Sequence, residues 1–126
     1  MLGRIKITEL FVHEDFDLDH AVEVAKHIEE FGLENPIIVD GRTLIVLDGH
    51  HRMVAYKILG RYTIPAIFID LMDPKVVIEW RRREYQEDTK ETIIARALSG
   101  KPYPPKTTRI FKVDDNGNLR KLKEMF

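Results

Sequence analysis

Thr43-Leu44-Ile45-Val46-Leu47-Asp48-Gly49-His50-His51-Arg52 decides the fold. An apolar run stops at Asp48-Gly49, and from His50 the spacing turns helical through Met53, Val54, Tyr56, Ile58 and Leu59 until Gly60 closes it. This predicts a strand that turns directly into a helix. Upstream, Pro36-Ile37-Ile38-Val39-Asp40 is a second apolar run, and Asp40-Gly41-Arg42 is a tight turn, so the two runs form a hairpin with a buried face. Glycine at position 49 lets the chain turn sharply and lets a ligand approach the main chain.

Further out, Arg4–Leu10 alternates as a short strand, and the acidic stretch Asp15–Asp19 supplies caps for an amphipathic helix over His20–Phe31, ended by Gly32. Ile64–Leu71 predicts another strand with Pro65 near its start, and Val76–Trp80 is extended. A short helix begins at Thr89 or Glu91 and runs to Leu98. Lys101–Arg109 carries three prolines and cannot be helical. The tail from Phe111 holds a turn at Asp115-Asn116-Gly117 and a basic end that is expected to be helical. The fold class is α+β, a small mixed sheet with helices packed around it, in a single domain over residues 1–126.

The chain has 126 residues, 44% of them hydrophobic, which is enough for one core and excludes gross disorder. With no cysteine, disulfide scaffolds, thiolate metal sites and cysteine nucleophiles are excluded. No apolar run reaches the roughly 18 residues of a membrane span, and the N-terminus lacks a signal pattern, so a soluble cytoplasmic domain is expected. One Gln and three Asn, with 33% charged residues, point toward a thermophilic source. The net charge of −1 hides a split: residues 1–50 hold four Lys/Arg and eleven Asp/Glu (−7), residues 51–126 sixteen and ten (+6).

The helix start after Gly49 presents unsatisfied N–H groups and a positive dipole end, suited to an anion. His50, His51 and Arg52 add side-chain donors, and Arg52 can grip a phosphate bidentately. Asp48 is placed to bind a cation or orient a histidine. The plain alternative is that Asp48 caps the helix and Arg52 pairs with a neighbouring acid. Lys106-Thr107-Thr108-Arg109, stiffened by Pro104-Pro105, is a second candidate phosphate grip or an ordinary solvated loop. Glu14, beside His13, is a candidate general base or surface decoration. His13, His20 and His27 recur every seven residues, but seven helical residues span roughly 10 Å, too far for two ligands of one zinc ion. Trp80 with Arg81-Arg82-Arg83 could stack on bases, or be core beside a solvated face.

In these residues, His13-Glu14, Asp48–Arg52, Trp80 and Pro105–Arg109 in that order, the sequence resembles the ParB/sulfiredoxin-like superfamily, and within it the free L-serine kinases. The resemblance covers about Ile5 to Arg109. It implies a phosphotransferase making O-phosphoserine from free L-serine with ADP or ATP and Mg²⁺. Glu14 and Asp48 are then catalytic, with Asp48 also reaching the metal. Gly49, His50, His51 and Arg52 hold nucleotide phosphates, Lys106, Thr107, Thr108 and Arg109 close over them, and Trp80 and His51 lie by the serine. Ile110 stands where the family is expected to carry histidine, and the long insert of some members is missing. Sulfiredoxin activity is excluded, since the position of its cysteine is His50. The stretch after Leu71 is too short for the further domains of partition ParB proteins. The alternative is a ParB-like DNA-binding nuclease or nucleotidase (ATPase) using the same phosphate site. Against it stands a sequence pI near 6.5, without the basic bias of DNA binders. A nucleotide-binding regulator without catalysis is a third reading.

Overall fold

Runs such as Ile37-Ile38-Val39 and Ile45-Val46-Leu47 have no polar member to turn toward water, which suits strands covered on both faces. The computed structural model describes residues 2–32 and 35–124 and places both runs inside a five-stranded mixed sheet. Its strands are β1 (Leu2–Lys6), β2 (Phe11–Val12), β3 (Ile37–Asp40), β4 (Ile45–Asp48) and β5 (Thr63–Ile69), in the order β1-β5-β3-β4-β2. β3 and β4 form the expected antiparallel hairpin, while β5 lies parallel to β3 and β2 parallel to β4. Pro65 sits one residue before pairing with β3 begins at Ala66, where its missing N–H costs nothing on that side.

Alternation along the strands divides the interior in two. Ile37, Val39, Val46, Ile64 and Ala66 face α1 (Leu18–Phe31) and α2 (His50–Ile58), meeting Ala21, Ala25, Ile28, Met53 and Tyr56. Ile38, Ile45 and Leu47 point the other way, into a second core with Ile93 and Ala97 of α3 (Lys90–Ser99). That core is closed by an antiparallel sheet of β6 (Val76–Trp80), β7 (Thr108–Val113) and β8 (Leu119–Lys121). Among the described residues no helix is long and apolar enough to cross a membrane.

The helix ends follow local chemistry. Asp17 caps α1, its Oδ1 accepting from the N–H groups of Asp19 at 3.0 Å and His20 at 3.4 Å, so the helix starts two residues before the predicted His20. The Asp40 carboxylate shapes the β3–β4 turn by accepting from Thr43 N and Oγ1, and it also accepts from Leu71 N at 2.8 Å.

Two expectations are corrected. The first strand ends at Lys6, because a 3-10 turn over Ile7–Glu9 redirects the chain before β2. The basic tail is extended rather than helical over Leu119–Lys121, and residues 125–126 of the expected helix lie outside the described residues: Asp114 organises a turn by accepting from Asn116 N and Asn118 N, which folds β8 back onto β7. Leu122 then enters the second core within a 3-10 turn over Leu122–Glu124.

Two glycines with positive φ separate backbone freedom from close approach. A Cβ at Gly32 (φ 66°) would meet nothing, whereas one at Gly49 (φ 97°) would lie 2.7 Å from Ile37 Cγ2. Gly32→Ala should therefore cost about 1 kcal/mol of left-handed backbone strain, and Gly49→Ala about 3 kcal/mol once overpacking is added. Urea unfolding of both variants measures the contrast; equal losses would contradict the close contact.

Candidate active site

The β4–α2 junction forms the floor of a cleft of about 370 Å³. Gly49 is the N-cap residue of α2 and no side chain caps this helix start, so the capping role considered for Asp48 is not the one it plays. The first intrahelical bond is Met53 N to Gly49 O at 2.9 Å. The N–H groups of His50, His51 and Arg52, at the first turn, have no partner within the helix. Asp48, Gly49, His50, His51 and Arg52 all line the cleft. Arg52 makes no ion pair among the described residues; its Nη1 donates to Pro36 O at 2.8 Å, which anchors the guanidinium at the cleft wall.

The opposite wall is built from segments far apart in sequence. Glu14 and Tyr103 form an isolated parallel bridge, with Tyr103 N donating to His13 O (2.7 Å) and Asp15 N to Tyr103 O (2.8 Å). This fastens the proline-rich loop beside His13-Glu14. Lys106 then takes a positive φ of 60°, which turns successive N–H groups onto one carboxylate. Thr107 N donates to Glu14 Oε1 at 3.2 Å and Thr108 N to Oε2 at 3.3 Å, with Thr108 Oγ1 at 2.7 Å from Oε2. The loop expected to grip phosphate thus turns much of its donor capacity onto Glu14.

Thr107 is a correction. It is fully buried, donates its hydroxyl to Pro104 O at 2.6 Å and does not line the cleft. Lys106, Thr108 and Arg109 do line it. Glu14 is no surface decoration either: burial pushes its pKa above the usual carboxylate value, against the hydrogen bonds of residues 106–108 that favour the charged form.

Four of the five histidines gather around this cleft. His13 is fully buried, with Nδ1 3.1 Å from Val46 O and Nε2 2.9 Å from Thr108 Oγ1, and burial lowers its pKa to about 4. Its ring meets that of His50 edge-on at 5.1 Å. Burial and the neighbouring His13 hold His50 well below the ordinary histidine value. His51 Nε2 accepts from Asp17 N at 3.0 Å, which puts the ring proton on Nδ1 and ties α2 to the cap of α1. Its ring stacks edge-on with His20 at 4.5 Å. In the seven-residue histidine repeat His27 packs on Phe31, away from His13, and no group of three or more potential ligands occurs among the described residues.

Trp80 packs edge-on against Tyr103 at 5.5 Å, in the second core, and is not among the lining residues. Arg81, Arg82 and Arg83 are not one solvated face. Arg81 lines the cleft and its N–H donates to Thr107 O at 2.7 Å. Arg82 grips Pro105 O through Nε (3.2 Å) and Nη2 (2.5 Å), steadying the loop. Lys121 is a cleft residue that the sequence did not single out, and Arg81 stood there only as part of a basic run beside Trp80; β6–β7 and β7–β8 pairing brings both to the cleft. The lining cations are Arg52, Arg81, Lys106, Arg109 and Lys121, against the acids Glu14, Asp15 and Asp48.

The ParB N-terminal domain family matches residues 3–80. A ParB-like protein of Sulfolobus acidocaldarius is 40% identical over 75 residues, covering 59% of this chain and 38% of that protein. An ATP-dependent L-serine kinase of Staphylothermus marinus is 34% identical over 80 residues, covering 60% of this chain and 32% of that protein. The chain thus matches only about a third of the length of these curated relatives. Among solved structures, a free serine kinase in complex with AMP superposes with a TM-score of 0.77 at 15% identity, covering 99% of this chain and 93% of that one. C-terminally truncated SbnI from Staphylococcus aureus gives 0.74 at 15% identity, covering 94% and 85%. These likenesses bear out the expected fold.

His13 sets a pH dependence of stability. It takes up a proton near pH 6.5 when unfolded but only near 4 when folded, so the unfolded chain binds more protons in between. Stability should fall as pH drops from 6.5 toward 4, by about 3 kcal/mol from this residue. His50 acts in the same direction and Glu14 in the opposite one. Unfolding free energies across that range, in wild type and His13→Gln, isolate the contribution; parallel curves would contradict it.

Proposed function

This chain belongs to the ParB N-terminal domain family, and from that premise we propose that it is a nucleotide-dependent phosphotransferase converting free L-serine to O-phosphoserine. The observation that carries the reading is Glu14: a carboxylate in the wall of a cation-lined cleft whose floor is an uncapped helix start. The fold of the free serine kinase and the Staphylothermus relative, named for its serine kinase activity, support it.

Phosphoryl transfer asks a protein chiefly for positioning and charge stabilisation. The N–H groups of His50, His51 and Arg52 and the α2 dipole receive the terminal phosphates of ADP or ATP. Lys106, Thr108 and Arg109 approach from the loop side, and Arg81 adds a further cation. Glu14, fixed by Thr107 and Thr108, accepts the serine hydroxyl proton. His51 stays beside the substrate, and Trp80 supports the wall from behind through its packing on Tyr103.

The residues present fit Mg²⁺ in one manner only. No three-ligand cage exists among the described residues, but Asp48 supplies one carboxylate to the cleft, and Mg²⁺ is commonly held by one or two carboxylates plus substrate phosphates. Bound there, it would neutralise charge on the phosphate oxygens.

The alternative, a DNA-directed nuclease or nucleotidase, draws on the surplus of cleft cations and on the ParB-like relative. Incubation with serine, Mg²⁺ and ADP or ATP should yield O-phosphoserine. Glu14→Gln should lower kcat by about 10²–10⁴-fold while leaving nucleotide affinity intact. No serine-dependent turnover with either nucleotide would overturn the kinase reading, and DNA binding with a steep salt dependence would favour the alternative.

A further inference from the structure

The hydrogen bonds around Thr108 do not balance. His13 Nδ1 faces Val46 O at 3.1 Å, and a carbonyl only accepts, so the ring proton of neutral His13 sits on Nδ1. Its Nε2 is then an acceptor, 2.9 Å from Thr108 Oγ1. On the other side of that hydroxyl, Glu14 Oε2 lies at 2.7 Å, and an ionised carboxylate is also an acceptor. One hydroxyl hydrogen faces two buried acceptors. Glu14 Oε2 also accepts from Thr108 N at 3.3 Å, so a hydroxyl turned to Glu14 leaves His13 Nε2 unsatisfied at about 1–3 kcal/mol, and one turned to His13 sets two oxygen lone pairs against each other at 2.7 Å. One added proton satisfies both, on the carboxyl (Glu14 O–H to Thr108 Oγ1, Thr108 O–H to His13 Nε2) or on the imidazole with both bonds reversed.

We propose that His13 is a positioning residue for Glu14: across the Thr108 hydroxyl the carboxyl and the imidazole share one proton and titrate as a unit. This deepens the phosphotransfer reading and rests on it for its catalytic meaning. In the transfer, the serine O–H bond breaks and its proton passes to the Glu14 carboxylate. The electron pair left on the serine oxygen forms the new O–P bond, and the bond from phosphorus to the bridging oxygen of the nucleotide breaks with its pair on that oxygen. The proton gained by Glu14 is the one the chain lacked, so His13 raises the affinity of the base for it. The direct His13 Nε2–Glu14 Oε2 separation of 3.7 Å leaves the Thr108 hydroxyl as the shorter route.

Other groups bear on both ends and set where the unit titrates. His50 of α2 and Tyr103 of the proline-rich loop have ring centres 5.1 and 6.5 Å from that of His13. Asp15, Asp48, Lys106 and Arg109 line the cleft with Glu14. None of them lies between Thr108 and its two acceptors in the hydrogen bonds described.

The test is an NMR titration of the intact chain, following His13 ¹⁵Nε2 and Glu14 ¹³Cδ, which needs no substrate. A single shared midpoint is expected in wild type, separating into two in Thr108→Ala. Two independent midpoints in wild type would overturn the proposal. In kinetics, His13→Gln keeps a donor and an acceptor but not the basicity of imidazole. Its acid limb of serine phosphorylation should move about tenfold lower in proton affinity, with KM for nucleotide unchanged; an unmoved limb with lower kcat would make His13 merely structural. Loss of serine turnover in wild type would sink the kinase reading and leave the titration result standing.

Discussion

A carboxylate from the second strand region, Glu14, is held by backbone donors that lie 93 and 94 residues away. That contact joins the two layers of the molecule. On one side is the five-stranded sheet carrying β4 and the start of α2; on the other is the small antiparallel sheet whose first residue in β7 is Thr108. Without it the proline-rich loop would have no reason to turn its amides inward, and the cleft would lose a wall. The positive φ at Lys106 is local strain set against those bonds, and Arg82 on Pro105 O holds the loop from behind.

The charge asymmetry of the sequence acquires a geometric meaning in the cleft. All three lining acids, Glu14, Asp15 and Asp48, come from residues 1–50, and all five lining cations come from residues 51–126. Folding superimposes an acidic half and a basic half on one site. Within that site burial, more than any single charge partner, sets the titration of Glu14, His13 and His50. A cationic rim around a carboxylate whose proton affinity is raised marks the cleft as the candidate functional site.

How much could be read in the sequence follows the range of the interactions. The β3–β4 hairpin, the Asp48–Arg52 junction and the capped helices α1 and α3 rest on contacts between near neighbours, and periodicity and turn chemistry exposed them. The inward turn of Thr107, the extended tail and the cleft positions of Arg81 and Lys121 rest on pairing between β6, β7 and β8, to which local pattern is blind. Trp80 stood out as an aromatic among arginines, yet β6 alternation sends it onto Tyr103. Position alone leaves Glu14 either a candidate base or surface decoration, and only the family resemblance marks it as catalytic. Its meaning depends on a loop in the other sheet.

A crystal structure with bound nucleotide and serine would join these strands of evidence. The terminal phosphate should sit on the amides of His50, His51 and Arg52, with the serine hydroxyl within hydrogen-bond reach of Glu14 and the Thr107 and Thr108 amides still on its carboxylate. A nucleotide whose phosphates lie away from the α2 start, or a Glu14 turned out of the cleft, would contradict the assignment.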